Sequence, residues 1–225
     1  MKRLILILPL LLVFFSCEKK IPVEYAYESD PVYSWGYAEF WGDYYSEYEI
    51  TQNVVSLSLF TDDLIVDSTS SLVGIGQYLY LEDVFVASSD TLLPAGTYSI
   101  SDANDRFSIA GGEELEIDGQ VFDVGAFVYF MEKNEMFTIR KFITAGTMKV
   151  EYSGSLTRME FDFTLDDDTG IKGSFEGELP YFDSRFASST QSAPSRKDAL
   201  QKLNSLFPDA IQGKYQQRKR RYTTQ

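Results

Sequence analysis

Apolar and polar residues alternate one for one along much of this chain, and that two-residue period constrains its fold more than any other feature. Met159-Glu160-Phe161-Asp162-Phe163-Thr164-Leu165 places its apolar side chains on one face of an extended strand; on a helix the same residues would scatter around the axis. Comparable runs occur at 54–60, 76–81, 96–100, 121–130 with Gly125 as a bulge, 136–143, 147–152 and 171–179. Turn-forming groups separate them: Thr61-Asp62-Asp63, Leu93-Pro94-Ala95, Glu132-Lys133-Asn134-Glu135 and Asp166-Asp167-Asp168-Thr169-Gly170. Many short strands with frequent turns predict an all-β protein, an antiparallel β-sandwich or barrel. Ala95-Gly96-Thr97 and Ala145-Gly146-Thr147 stand 50 residues apart and raise the idea of a duplicated β unit.

The ends of the chain follow other patterns. Lys2 and Arg3 precede an apolar run at 4–15, then Ser16 and Cys17. The run is shorter than the roughly 20 residues that span a bilayer, and it has the length of a secretory h-region. Phe14-Phe15-Ser16-Cys17 resembles the lipobox of bacterial lipoproteins, with Phe where Leu is commoner. The resemblance implies that residues 1–16 are a signal peptide and that Cys17 is acylated after cleavage. Two or three acyl chains, each burying about 0.8 kcal/mol per CH₂, make a stable membrane anchor. The expected address is the cell envelope, with the outer membrane the favoured side. Residues 17–31 read as a lipidated tether and 32–183 as the β-domain. Residues 184–225 read as a linker, a short helix and a flexible basic tail. In that last part Ser195-Arg196-Lys197-Asp198 fits a helix-capping pattern, and Ala199, Leu200, Leu203, Leu206 and Phe207 make one apolar stripe before Pro208.

Four stretches in the body resemble a group of β-rich envelope lipoproteins of Bacteroidetes type. They are Ala38-Glu39-Phe40-Trp41-Gly42-Asp43-Tyr44-Tyr45, residues 74–81, Leu93-Pro94-Ala95-Gly96-Thr97-Tyr98 and residues 173–181. The likeness implies a β-rich, envelope-anchored protein and carries over no activity and no site residues. Trp41, where Tyr is more usual, and the basic tail depart from the group.

Composition narrows the chemistry. The chain has no histidine and one cysteine, which removes Ser–His–Asp and Cys–His sets and conventional zinc sites. Cleavage leaves 18 basic and 34 acidic residues; eight of the basic ones and two of the acidic ones lie in 196–225. The body is strongly acidic and will not neutralise nucleic-acid phosphates. The reading is therefore a non-catalytic protein without cofactor, with a glycan or an envelope protein as ligand. A structural envelope component and a carboxylate-based glycoside hydrolase are the alternatives.

Three clusters are candidates for function. Trp35, Tyr37, Trp41, Tyr44 and Tyr45 belong to an aromatic-rich stretch, and such side chains either stack on sugar rings or fill a β-core. Asp166-Asp167-Asp168 has the look of a calcium loop but lacks the spacing and distal Glu of an EF-hand, which favours a hairpin turn. Arg218, Lys219, Arg220 and Arg221 are placed for a second contact with anionic membrane, or for folding back on the acidic body.

Overall fold

The structure, a computed structural model, describes residues 28–66, 72–117, 120–132 and 135–185. The candidate helix, the basic tail and Cys17 lie outside them. Fifteen strands run in order: β1 (Val32–Gly42), β2 (Asn53–Thr61), β3 (Leu64–Val66), β4 (Leu72–Gly74), β5 (Gly76–Val86), β6 (Gly96–Ile100), β7 (Ser108–Ile109), β8 (Glu113–Ile117), β9 (Gln120–Val124), β10 (Ala126–Glu132), β11 (Glu135–Ser153), β12 (Leu156–Leu165), β13 (Gly170–Ile171), β14 (Ser174–Gly177) and β15 (Tyr181–Asp183). A 3₁₀ turn at Ser46–Tyr48 is the one helical element among the described residues.

The expectation of an all-β, mainly antiparallel fold holds, and the pairings close on themselves. β1 pairs with β2, β2 with β5, β5 with β10, β10 with β11, β11 with β12 and β12 with β14. β14 then returns to β1 in parallel, through Val32↔Ser174 and Tyr33↔Phe175. β6 and β7 bridge β11 to β5 where β10 ends. Closure leaves few exposed edges for pairing with other chains. Two hairpins, β3–β4 and β8–β9, stand off this main sheet.

The walls pack on one another, as in a sandwich, around a filled interior. Leu57, Leu59, Leu79 and Leu81 of β2 and β5 meet Met159, Phe161 and Phe163 of β12 there. Alternation sends the next residues of β12, Arg158, Glu160 and Asp162, to solvent. The loop before β6 closes one end. Leu93 is buried, its N–H donates to the Tyr181 hydroxyl at 3.1 Å, and its carbonyl accepts the Tyr152 hydroxyl. Tyr98 donates to the Pro94 carbonyl at 2.8 Å.

Gly146 explains why two predicted strands, 136–143 and 147–152, form one long β11. The register shifts between Ile143 and Ala145, and Gly146 takes φ +114° where a Cβ would stand 2.1 Å from the Asp162 carbonyl oxygen. The strands that carry the two Ala-Gly-Thr segments pair antiparallel but staggered, with Thr97 opposite Lys149 and Thr147 opposite Ser99. The likeness stops there: β8–β9 stands apart, whereas β12–β13 belongs to the main sheet.

Candidate functional site

β1 delivers most of the aromatic stretch, and it is buried on both sides. Tyr33, Ala38 and Phe40 join the interior, while Trp35 and Tyr37 belong to a second cluster on the outside of the β1–β2–β5–β10 wall. Register aligns one aromatic from each strand of that wall: Trp35 opposite Phe60, Phe60 opposite Tyr78, Tyr78 opposite Tyr129. Their rings lie nearly parallel, with centroids 4.0, 4.7 and 6.1 Å apart. Phe60 and Tyr78 therefore have a neighbouring ring on both faces. Trp35 has one face on Phe60, is partly buried, and donates its Nε1–H to the Leu64 carbonyl at 2.7 Å.

A second row runs alongside: Tyr37, Ser58, Tyr80, Phe127 and Phe142 stand opposite one another in turn. Ser58 Oγ lies 3.2 Å from the Tyr78 hydroxyl. Burial pushes the Tyr37 and Tyr78 hydroxyls well above the ordinary phenol range, and nearby Glu39 adds to the effect at Tyr37. At the far edge Tyr129 donates to Asp123 Oδ2 at 2.8 Å. Arg140 pairs with Asp123 and Glu114, tying β8–β9 to the wall, and its guanidinium sits 4.5 Å from the Phe142 ring centre.

The remaining candidates form a third cluster. Trp41 and Tyr45 are buried with Val54 and Phe85, and Tyr44 packs against them partly buried. Trp41 meets Tyr44 edge to face at 5.5 Å, and Tyr44 meets Tyr45 at 4.9 Å. The Tyr45 hydroxyl lies 3.1 and 3.0 Å from the two carboxylate oxygens of buried Asp83. Its neighbour Glu82, also buried, accepts the Gly125 N–H at 2.7 Å.

The Asp166–Asp168 segment is a turn between β12 and β13. Asp168 adopts φ 63°, and Leu165 and Thr169 close the turn by a 2.8 Å backbone bond. Asp167 is held by Lys141 and by the Thr169 hydroxyl and N–H, which draw its pKa down to about 2. Among the described residues, no three His, Cys, Asp or Glu side chains are grouped to hold a metal ion. The basic side chains described are all ion-paired: Arg106, Arg140, Lys141, Lys149, Arg158, Lys172 and Arg185. Cys17, Arg218, Lys219, Arg220 and Arg221 lie outside the described residues.

Reading the sequence missed Phe60 as the partner of Trp35, Tyr78 and Tyr129 as the rings that continue the row, and Asp83 as the partner of Tyr45. Each sits in a predicted strand or beside one, but which residues face each other depends on register, which no single strand encodes. Compared with known proteins, the chain matches no family model, no curated protein and no solved structure.

Proposed function

We propose that the chain is a lipid-anchored cell-envelope protein, held through Cys17 at the outer membrane, whose β-domain is a non-catalytic module for a protein partner. The observation that carries the choice of ligand is the engagement of the aromatic rings. A sugar-binding strip offers ring faces to solvent, whereas Phe60 and Tyr78 have theirs against neighbours and Trp41 and Tyr45 are buried. Both hairpins that stand off the wall carry exposed apolar side chains, Ile65 and Val121, of the kind protein contacts use. A structural envelope role without a small-molecule ligand is the second reading, favoured by the filled interior.

The test of ligand class is a glycan array probed with the chain lacking residues 1–16. No retention above background is expected. Specific retention that Trp35→Ala abolishes, with folding intact, would replace the protein-partner reading with the glycan one.

A further inference from the structure

Residues 28–31 form a strap at the end of the barrel where β1 begins. The Ser29 carbonyl accepts the Lys172 N–H at 2.6 Å, the Pro31 carbonyl accepts the Ser174 N–H at 3.0 Å, and the Glu28 N–H donates to Gln77 Oε1. Pro31 is the one buried residue of the strap; Glu28, Ser29 and Asp30 are exposed. A Cβ on Gly173 would stand 3.1 Å from both the Pro31 carbonyl oxygen and Tyr33 Cε2, so strap and ring pack on the same residue. Tyr33 stands opposite Thr61, whose hydroxyl oxygen accepts the Gln77 N–H at 3.0 Å, which puts Tyr33 and Gln77 in one row across β1, β2 and β5. Both side chains are 1 % exposed. The bond from Glu28 fixes which way the Gln77 amide is turned, and among the described residues neither its Nε2 nor the Tyr33 hydroxyl has a hydrogen-bond partner. Gln77 lies near enough to temper the rise that burial causes in the Tyr33 pKa, but no bond of normal length joins the two groups.

A buried donor without a partner has given up its bonds to water and gained nothing in return, and such groups are rare enough in folded proteins to need a cause. Here two of them lie beside a strap held by three hydrogen bonds and one buried side chain. That is little to hold a segment against local opening. Opening restores what closure forfeits, because water then reaches both donors. We propose that residues 28–31 are a latch that closes this end of the barrel over the Tyr33 hydroxyl and the Gln77 amide, and that opens separately from the rest of the sheet. A pull on the chain upstream of Glu28 is passed by the backbone to these three bonds. With an anchor at Cys17 the latch is where the tether meets the domain. The inference itself stands on the strap's own bonds and holds whether or not the chain is lipidated.

Native-state amide exchange followed by NMR tests it, in the chain lacking residues 1–16, which keeps every residue of the described fold. The Lys172 and Ser174 amides bond to the strap, whereas the Phe161 amide bonds to Gly173 between them, from the β12 side. If the strap opens alone, Lys172 and Ser174 should exchange about tenfold faster than Phe161, or more. A common rate for all three would overturn the latch, because the strap would then open only with the sheet. Tyr33→Phe keeps the ring that meets Phe161 edge to face at 5.9 Å and removes the unpartnered hydroxyl. It should slow exchange at Lys172 and Ser174 by about threefold, since opening then gains less. Unchanged or faster exchange in this variant would overturn the proposal by showing that the hydroxyl costs the closed state nothing. If Tyr33→Phe does not fold, the wild-type rates decide alone.

Discussion

Trp35 and Phe60 face each other across β1 and β2 with ring centroids 4.0 Å apart and planes 13° from parallel. Phe60 is also stacked on Tyr78, so it links rings from three strands. Phe60→Ala should cost about 3–5 kcal/mol, the usual range for a buried aromatic. It should also weaken the near-ultraviolet dichroism of Trp35. Urea unfolding and that spectrum check the claim together. A loss under about 1 kcal/mol would show that the stack contributes little beyond ordinary surface contacts.

How far the sequence foretold this arrangement differs strand by strand. β6 and β12 could be read almost residue for residue, because one face is core and the other water, and alternation records that asymmetry. β1 could not. Its outward Trp35 and Tyr37 and inward Tyr33 and Phe40 are all apolar or aromatic, so no two-residue period survives. The stretch therefore looked like a binding cluster as much as a strand. β5 runs on past the predicted 76–81 to Val86, through Glu82 and Asp83. Their burial depends on Gly125 and Tyr45, partners 43 and 38 residues away, and only the folded register brings these together.

The phenols provide a pH test. Burial, as the largest cause, raises Tyr33, Tyr37, Tyr98, Tyr129 and Tyr181 above the ordinary value of 10.0. A pKa that is higher folded than unfolded gives stability that is complete below the unfolded value. That stability drains away as pH climbs above 10.0, because the unfolded chain ionises first. Tyrosinate absorbance should thus rise in two stages, an early one from exposed tyrosines and a late one that coincides with loss of the β dichroism. A smooth rise with the fold intact would contradict the burial of these hydroxyls.

Asp167 makes the opposite test in acid. Lys141 is the largest cause of its lowered pKa, with Thr169 second, and the value falls from 3.8 to about 2. A depressed carboxyl contributes stability above its unfolded pKa and loses it as pH falls through the folded one, here from 3.8 towards 2. The group is largely exposed, so solvent screens the pair and little global stability should depend on it. The sensitive readout is the carboxyl titration followed by NMR. Lys141→Ala should move the Asp167 midpoint back towards 3.8 with hardly any change in the unfolding midpoint.

Two glycines of the β11–β12 hairpin should respond unequally to the same substitution. Gly154 has φ +64° in the turn, and a Cβ there would meet nothing within 4 Å. Ala at that position should cost about 1–2 kcal/mol from the left-handed backbone alone. Gly146 has φ +114°, and its Cβ would also stand 2.1 Å from the Asp162 carbonyl oxygen and 2.7 Å from Phe163 Cα. Gly146→Ala should therefore be clearly the more damaging, because the β11–β12 ladder must move apart. Denaturant midpoints of the two variants give the order, and the reverse order would refute this account of the bend in β11.

The proposed anchor is tested in cells making the full chain, grown with labelled palmitate. The chain should take up label and sediment with membranes; Cys17→Ser should lose the label and accumulate as the uncleaved precursor. The argument rests on chain count. A single acyl chain holds only marginally, whereas an acylated amino terminus beside a diacylated thiol anchors firmly. High salt should therefore leave the wild-type chain on the membrane, since its hold is apolar rather than ionic. Release by salt would instead assign the attachment to charge, with the cations at Arg218, Lys219, Arg220 and Arg221 as the first candidates.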